Sequence, residues 1–96
     1  MSFRDSCRSW WNRKFFRRRR NYFLVLLALR RASQELTCGQ VAACAGVPFS
    51  AVNSSLIALW CDGRVAYDFN TERHVVPRSK RKEVDVILRK NRRRWL

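Results

Sequence analysis

Apolar positions recur at helical spacing along most of the chain. In residues 3–16, Phe3, Cys7, Trp10, Trp11 and Phe15 alternate with Arg4, Arg8, Arg13 and Lys14, which predicts a helix. Arg17–Arg20 follow, four adjacent like charges that repel unless a partner neutralises them. From Tyr22 to about Ala32 the chain is apolar again. Leu24, Leu27 and Leu29 lie near one face and Val25 and Leu26 widen the stripe, so a second helix buried on most sides is expected. Ser33–Leu36 reads as a polar break. Thr37 and Gln40 form a T-x-x-Q capping box at the head of a short helix from Cys38 to about Cys44. Gly46 ends that helix, and Pro48 suits the start of the next. This next helix is expected to reach about Asp62 and to stop at Gly63, with Val52, Leu56 and Leu59 facing inward.

Beyond Gly63 the period changes from helical to alternating. Arg64–Phe69 places Val65, Tyr67 and Phe69 on one side of a strand, Asn70–Glu72 is a turn, and Arg73–Pro77 returns as a second strand. Ser79 then caps a last helix to about Arg94, with Val84, Ile87, Leu88 and Trp95 as its apolar residues and Asp85–Arg89 as an i, i+4 ion pair. The pattern predicts a mainly α chain with a small β-hairpin.

Charge divides the chain into three parts. Residues 1–20 hold eight Arg or Lys against Asp5, a net +7. Residues 78–96 hold nine against Glu83 and Asp85, again +7. In residues 21–77, Arg30, Arg31, Arg64 and Arg73 balance Glu35, Asp62, Asp68 and Glu72, so the ends account for the whole +14. The organisation expected is a basic aromatic arm (1–20), a neutral folded domain (21–77) and a basic C-terminal helix (78–96). With 96 residues there is room for one domain and a small core, which the arms help to cover. Two basic arms on a neutral body suit a polyanion, with nucleic acid ahead of an anionic membrane surface. Seventeen of the 21 basic residues are Arg, which favours bidentate phosphate binding over diffuse attraction.

Other chemistries find little support. Cys7, Cys38, Cys44 and Cys61 show no C-x-x-C spacing, and His74 is the only histidine, so no metal or cofactor is expected. Cys38, Cys44 and Cys61 read as buried free thiols. No nucleophile–base motif, phosphate loop or carboxylate cluster points to an enzyme, and neither Asp62 nor Asp68 has an evident partner. The longest apolar run, Tyr22 to Leu29, is far shorter than the roughly 20 residues of a membrane span. A membrane-active peptide accounts for residues 1–20 but not for the patterned middle. The arginines of the first twenty residues are not followed by a run ending in a small-residue cleavage site, so no signal peptide is expected, although this Arg-rich, acid-poor start resembles a mitochondrial targeting segment in composition.

The order helix, short helix, glycine turn, helix, hairpin carries a resemblance. Leu36-Thr37, Val41-Ala42, Gly46-Val47-Pro48, Ser50, Val52, Leu56, Leu59, Gly63 and Val65 together resemble the winged helix-turn-helix family over roughly residues 22–77. The resemblance implies a winged helix-turn-helix with basic N- and C-terminal helical extensions. It implies that Pro48–Asp62 is a recognition helix and Asn70–Glu72 a wing tip. The outward residues of that helix would be Phe49, Ser50, Asn53, Ser54, Ile57 and Trp60, none of them basic, so the bidentate Arg–guanine contact is missing there. Ile57 and Trp60 stand where the family shows polar residues. They are expected to pack against the Trp10/Trp11 arm, the last helix or a second subunit, which allows a homodimer through Ile57/Trp60 or the terminal helix.

The nucleic-acid-binding residues expected are therefore Arg13, Lys14 and Arg17, Arg18, Arg19 and Arg20 in the first arm. Phe49, Ser50, Asn53 and Ser54 follow on the recognition helix, and Arg73 at the wing. Lys80, Arg81, Arg89, Arg92, Arg93 and Arg94 complete the set at the C-terminus. Trp10, Trp11, Phe15 and Phe16 either stack on unpaired bases or pack onto the domain. The leading expectation is an intracellular, non-enzymatic DNA-binding regulator or chromatin-like factor. The alternative is an RNA-binding structural protein, because Leu36–Val65 also resembles the winged-helix protein of the small ribosomal subunit of archaea and eukaryotes.

Overall fold

The structure is a computed structural model. It describes the backbone of residues 3–32 and 34–95 and the side chains of residues 17–32 and 34–93. The first element is one helix, α1 (Phe3–Arg31), where the sequence predicts two. The arginine run does not break it. Successive residues on a helix point about 100° apart, so Arg17–Arg20 diverge around the axis instead of crowding together, and all four are exposed. Arg is also a good helix former. Downstream, Tyr22, Phe23, Val25, Leu26 and Leu29 are buried, and Val25 and Leu26 have no exposed surface.

The next elements follow their local signals. Strand β1 (Leu36–Thr37) leads directly into α2 (Cys38–Ala45). The Gln40 N–H donates to Thr37 Oγ1 at 3.3 Å, and the Thr37 N–H donates to Gln40 Oε1 at 2.9 Å, which closes the capping box. Gly46 ends α2 with φ 67°, a left-handed value that a side chain would strain. Three residues later α3 (Phe49–Cys61) departs at 107° to α2. Val52, Leu56 and Leu59 are buried, as the helical spacing predicts, and Ser55 joins them with its hydroxyl donating to Ala51 O at 2.8 Å.

The hairpin strands are shorter than predicted, β2 (Ala66–Asp68) and β3 (Arg73–Val75). Its turn is closed by Asn70 N–H donating to Asp68 Oδ1 at 2.9 Å, so Asp68 has a local role that the sequence did not reveal. The segment Ser33–Leu36 is not simply a break. Leu36 pairs with His74 and Thr37 with Arg73, making a three-stranded antiparallel sheet ordered β1-β3-β2. Ser79 does not cap the last helix. It lies inside a 3-10 turn, Arg78–Lys80, and α4 (Arg81–Trp95) begins after it.

One core joins these pieces. α1 packs against α2, α3 and α4. Leu36, Val65 and Val76 seal the sheet edge of the core, and Val84 and Leu88 attach α4. The protein is mainly helical with a small antiparallel sheet, and α1 is its spine.

Candidate nucleic-acid interface

The crossing of α1 over α3 is pinned by a polar triad. Tyr22 donates its hydroxyl to Asp62 Oδ2 at 2.6 Å and accepts a hydrogen bond from Arg64 Nη1. Arg64 also lies 3.7 Å from Asp62 and its guanidinium sits 5.8 Å from the Tyr22 ring centre. Asp62, which shows no evident partner in the sequence, thus has two. Arg64 Nε is buried without a hydrogen bond. Burial, and then donation to Asp62, push the Tyr22 phenol up to about 12. Tyr22 therefore stays a neutral donor and holds the far end of α3 beneath α1.

That crossing produces a groove. One wall carries Arg18, Arg19 and Asn21 of α1, and the other carries Ser50, Ala51, Ser54 and Ala58 of α3. The α3 wall consists of small side chains, so a polymer backbone can approach the helix closely. No side chain caps the α3 N-terminus at Pro48, which leaves its first N–H groups open near Ser50. Ser54 spends its hydroxyl proton on Ser50 O at 3.3 Å and keeps its lone pairs outward. The basic groups absent from α3 thus stand beside it, on α1.

The predicted outward face of α3 is consequently divided. Ser50 and Ser54 belong to the arginine groove. Phe49, Asn53, Ile57 and Trp60 line a second groove, closed on its other side by Tyr67, Phe69 and His74. Ile57 and Trp60 are each 55% exposed and Phe69 is 76% exposed. The last helix does not cover them, because α4 packs on α1. Among the described residues, Glu72 is the one charged side chain lining this second groove, beside the neutral ring of His74. Burial lowers the His74 imidazole from its ordinary value, and its ring lies 4.7 Å from that of Tyr67.

The other expected contacts are scattered. Arg17 and Arg20 are exposed on α1. Arg73 is exposed at the start of β3, opposite Asp68 and Thr37 in the sheet register, so it belongs to the strand and not to the turn tip. Lys80 is bound 3.5 Å from Glu83, which reduces its value as a phosphate contact. Arg81 and Arg93 are exposed on α4. Arg89 and Arg92 line a cleft between α4 and α1 together with Arg30 and Arg31, which the sequence reading assigned to the neutral body. No local signal flags that pair, because the packing of α4 on α1 is what brings them together. The expected i, i+4 pair is replaced, since Asp85 is taken by Arg30 and not by Arg89. The side chains of Arg13, Lys14 and Arg94, and of Trp10, Trp11, Phe15 and Phe16, lie outside the described residues.

Cys38 is half-buried, and burial raises its thiol, but Cys44 and Cys61 are exposed and not buried as expected. They occupy outer turns of α2 and α3, where a small side chain is tolerated in water as well as in the core. Among the described residues no cluster of three or more metal-ligating side chains occurs, and no single helix is long and apolar enough to cross a membrane. No protein-family model matches the chain, and no curated protein matches it either.

Proposed function

We propose that the protein is a non-enzymatic nucleic-acid-binding protein of winged helix-turn-helix type, which grips the phosphates of duplex DNA. The observation that carries this reading is the groove in which Arg18 and Arg19 face Ser50 and Ser54. Arginine supplies bidentate phosphate contacts, and the serine wall lets a strand come close. The surrounding architecture supports it. α2 and α3 are joined by a three-residue turn containing Gly46 and cross at 107°, within the range of helix-turn-helix pairs. The β2–β3 hairpin follows α3 where a wing belongs. In this reading Asn53 is the available base-reading side chain, with adenine as its partner.

A second reading, an RNA-binding structural protein of ribosomal type, is favoured by one feature. α3 has no basic residue, and four of its six outward residues, Phe49, Asn53, Ile57 and Trp60, open onto the aromatic groove. The test is a salt series on duplex DNA and on structured RNA with the full chain. For about ten neutralised phosphates the log–log slope on duplex DNA is near −9. Replacing Arg18 and Arg19 by Gln reduces it by about 2. Tighter binding to structured RNA, with an unchanged duplex slope in that variant, overturns the DNA reading.

A further inference from the structure

We propose that one copy of the protein holds two duplex segments at once, the second seated in the arginine cleft between α1 and α4. This rests on the nucleic-acid reading above and adds a bridging function to it.

The cleft is built for an anion. Its apolar floor is Leu27 and Leu88, and its polar walls are Arg30, Arg31, Asp85, Arg89 and Arg92. Asp85, the one carboxylate in it, is already neutralised. Arg30 donates from Nε to Oδ1 at 2.8 Å and from Nη2 to Oδ2 at 3.1 Å. Three guanidiniums, Arg31, Arg89 and Arg92, remain exposed around the same space. Like charges brought together by folding repel, and a phosphate backbone relieves that repulsion. The aliphatic stems rest on the apolar floor and leave the charged heads at the rim.

The cleft cannot be an extension of the first groove. At about 100° per residue, Arg18, Arg19, Asn21 and Tyr22 centre roughly 150° around the α1 axis from Leu27, Arg30 and Arg31. α3 flanks α1 on one side and α4 on the other. The two grips therefore open on opposed flanks of a body whose shorter dimensions are 26 and 22 Å. Duplex DNA keeps its direction over about 150 base pairs, so a single short duplex does not curl around such a body to reach both. Because α1 is one unbroken helix, the distance between the grips is fixed, and two segments would be held at constant spacing.

The experiment uses the full chain, a biotinylated 30-base-pair duplex on beads and a free fluorescent duplex of the same length. The wild type is expected to retain the fluorescent duplex on the beads. The Arg31→Gln/Arg89→Gln/Arg92→Gln variant is expected to stay bound to the beads and to lose at least tenfold of the captured fluorescence. A charge-matched variant, Arg78→Gln/Lys82→Gln/Lys90→Gln, alters exposed residues away from both grips and is expected to capture as the wild type does. Equal losses in the two variants would mean that capture reflects net charge alone, and the proposal fails. Capture that requires two protein copies per duplex pair overturns it as well. Protein bound to the beads without a second duplex defeats bridging and leaves the binding reading intact. Protein that does not bind the beads defeats both.

Discussion

Arg30 and Asp85, 55 positions apart, are joined side by side through two hydrogen bonds of 2.8 and 3.1 Å. The pair ties α4 to α1 and diverts Asp85 from Arg89, its neighbour one turn along α4. A fork-to-fork contact with a guanidinium from another helix has better geometry than an i, i+4 pair on one helix. Both side chains keep access to water, 32% and 44%, so screening limits the energy. A double-mutant cycle of Arg30→Gln and Asp85→Asn in urea should give a coupling of about 0.5–1.5 kcal/mol. A coupling near zero would show that the two groups are not paired in solution.

Tyr22→Phe removes the donor to Asp62 and the acceptor of Arg64. Asp62 and Arg64 remain 3.7 Å apart and can still neutralise each other, so the loss should be about 1–2 kcal/mol and not a collapse of the fold. The phenol titrates near 12 when folded against 10.0 for the free group. A raised value means that this stabilisation is complete below about pH 10 and is lost as pH rises from there toward 12. Absorbance at alkaline pH should show one tyrosine fewer ionising in the variant, and the component lost should be the one near 12.

His74 works in the opposite sense. Burial lowers its folded value below the ordinary 6.5, so the folded state holds the neutral ring. The unfolded chain takes up a proton first as pH falls. Stability is therefore full above 6.5 and declines below it, until the folded ring protonates too. Melting temperatures between pH 7.5 and 5 should fall more steeply for the wild type than for His74→Gln. Parallel curves would remove His74 as the cause.

Leu59 and Trp60 are adjacent on α3 and should behave in opposite ways. Leu59 is fully buried, and Leu59→Ala should cost about 2–5 kcal/mol. Trp60 is 55% exposed, and Trp60→Ser should stay within about 0.5 kcal/mol. If Trp60→Ser destabilises the protein as much as Leu59→Ala, the aromatic groove is covered in solution.

The amino-acid sequence by itself determined what depends on neighbours within one turn. The Thr37–Gln40 box, the left-handed ends at Gly46 and Gly63, and the inward row Val52, Leu56, Leu59 all rest on contacts three or four residues apart. The neutral middle and basic ends were equally plain. Tertiary structure alone decided the rest. β1 is two residues long and exists because β3 lies beside it, and no local period can announce a strand of that length. Tyr22, Phe23, Val25, Leu26 and Leu29 of α1 are buried against elements far along the chain, which no local period reveals. Asp62, Arg64 and Asp85 found partners 40 to 55 residues away, although nearer charges were available to Asp85. The candidate site follows the same division. Its charged residues were legible one by one, but the pairing of Arg18 and Arg19 with Ser50 and Ser54, and of Arg30 and Arg31 with Arg89 and Arg92, was not. A side chain's chemistry is local, whereas the company it keeps is set by how helices cross.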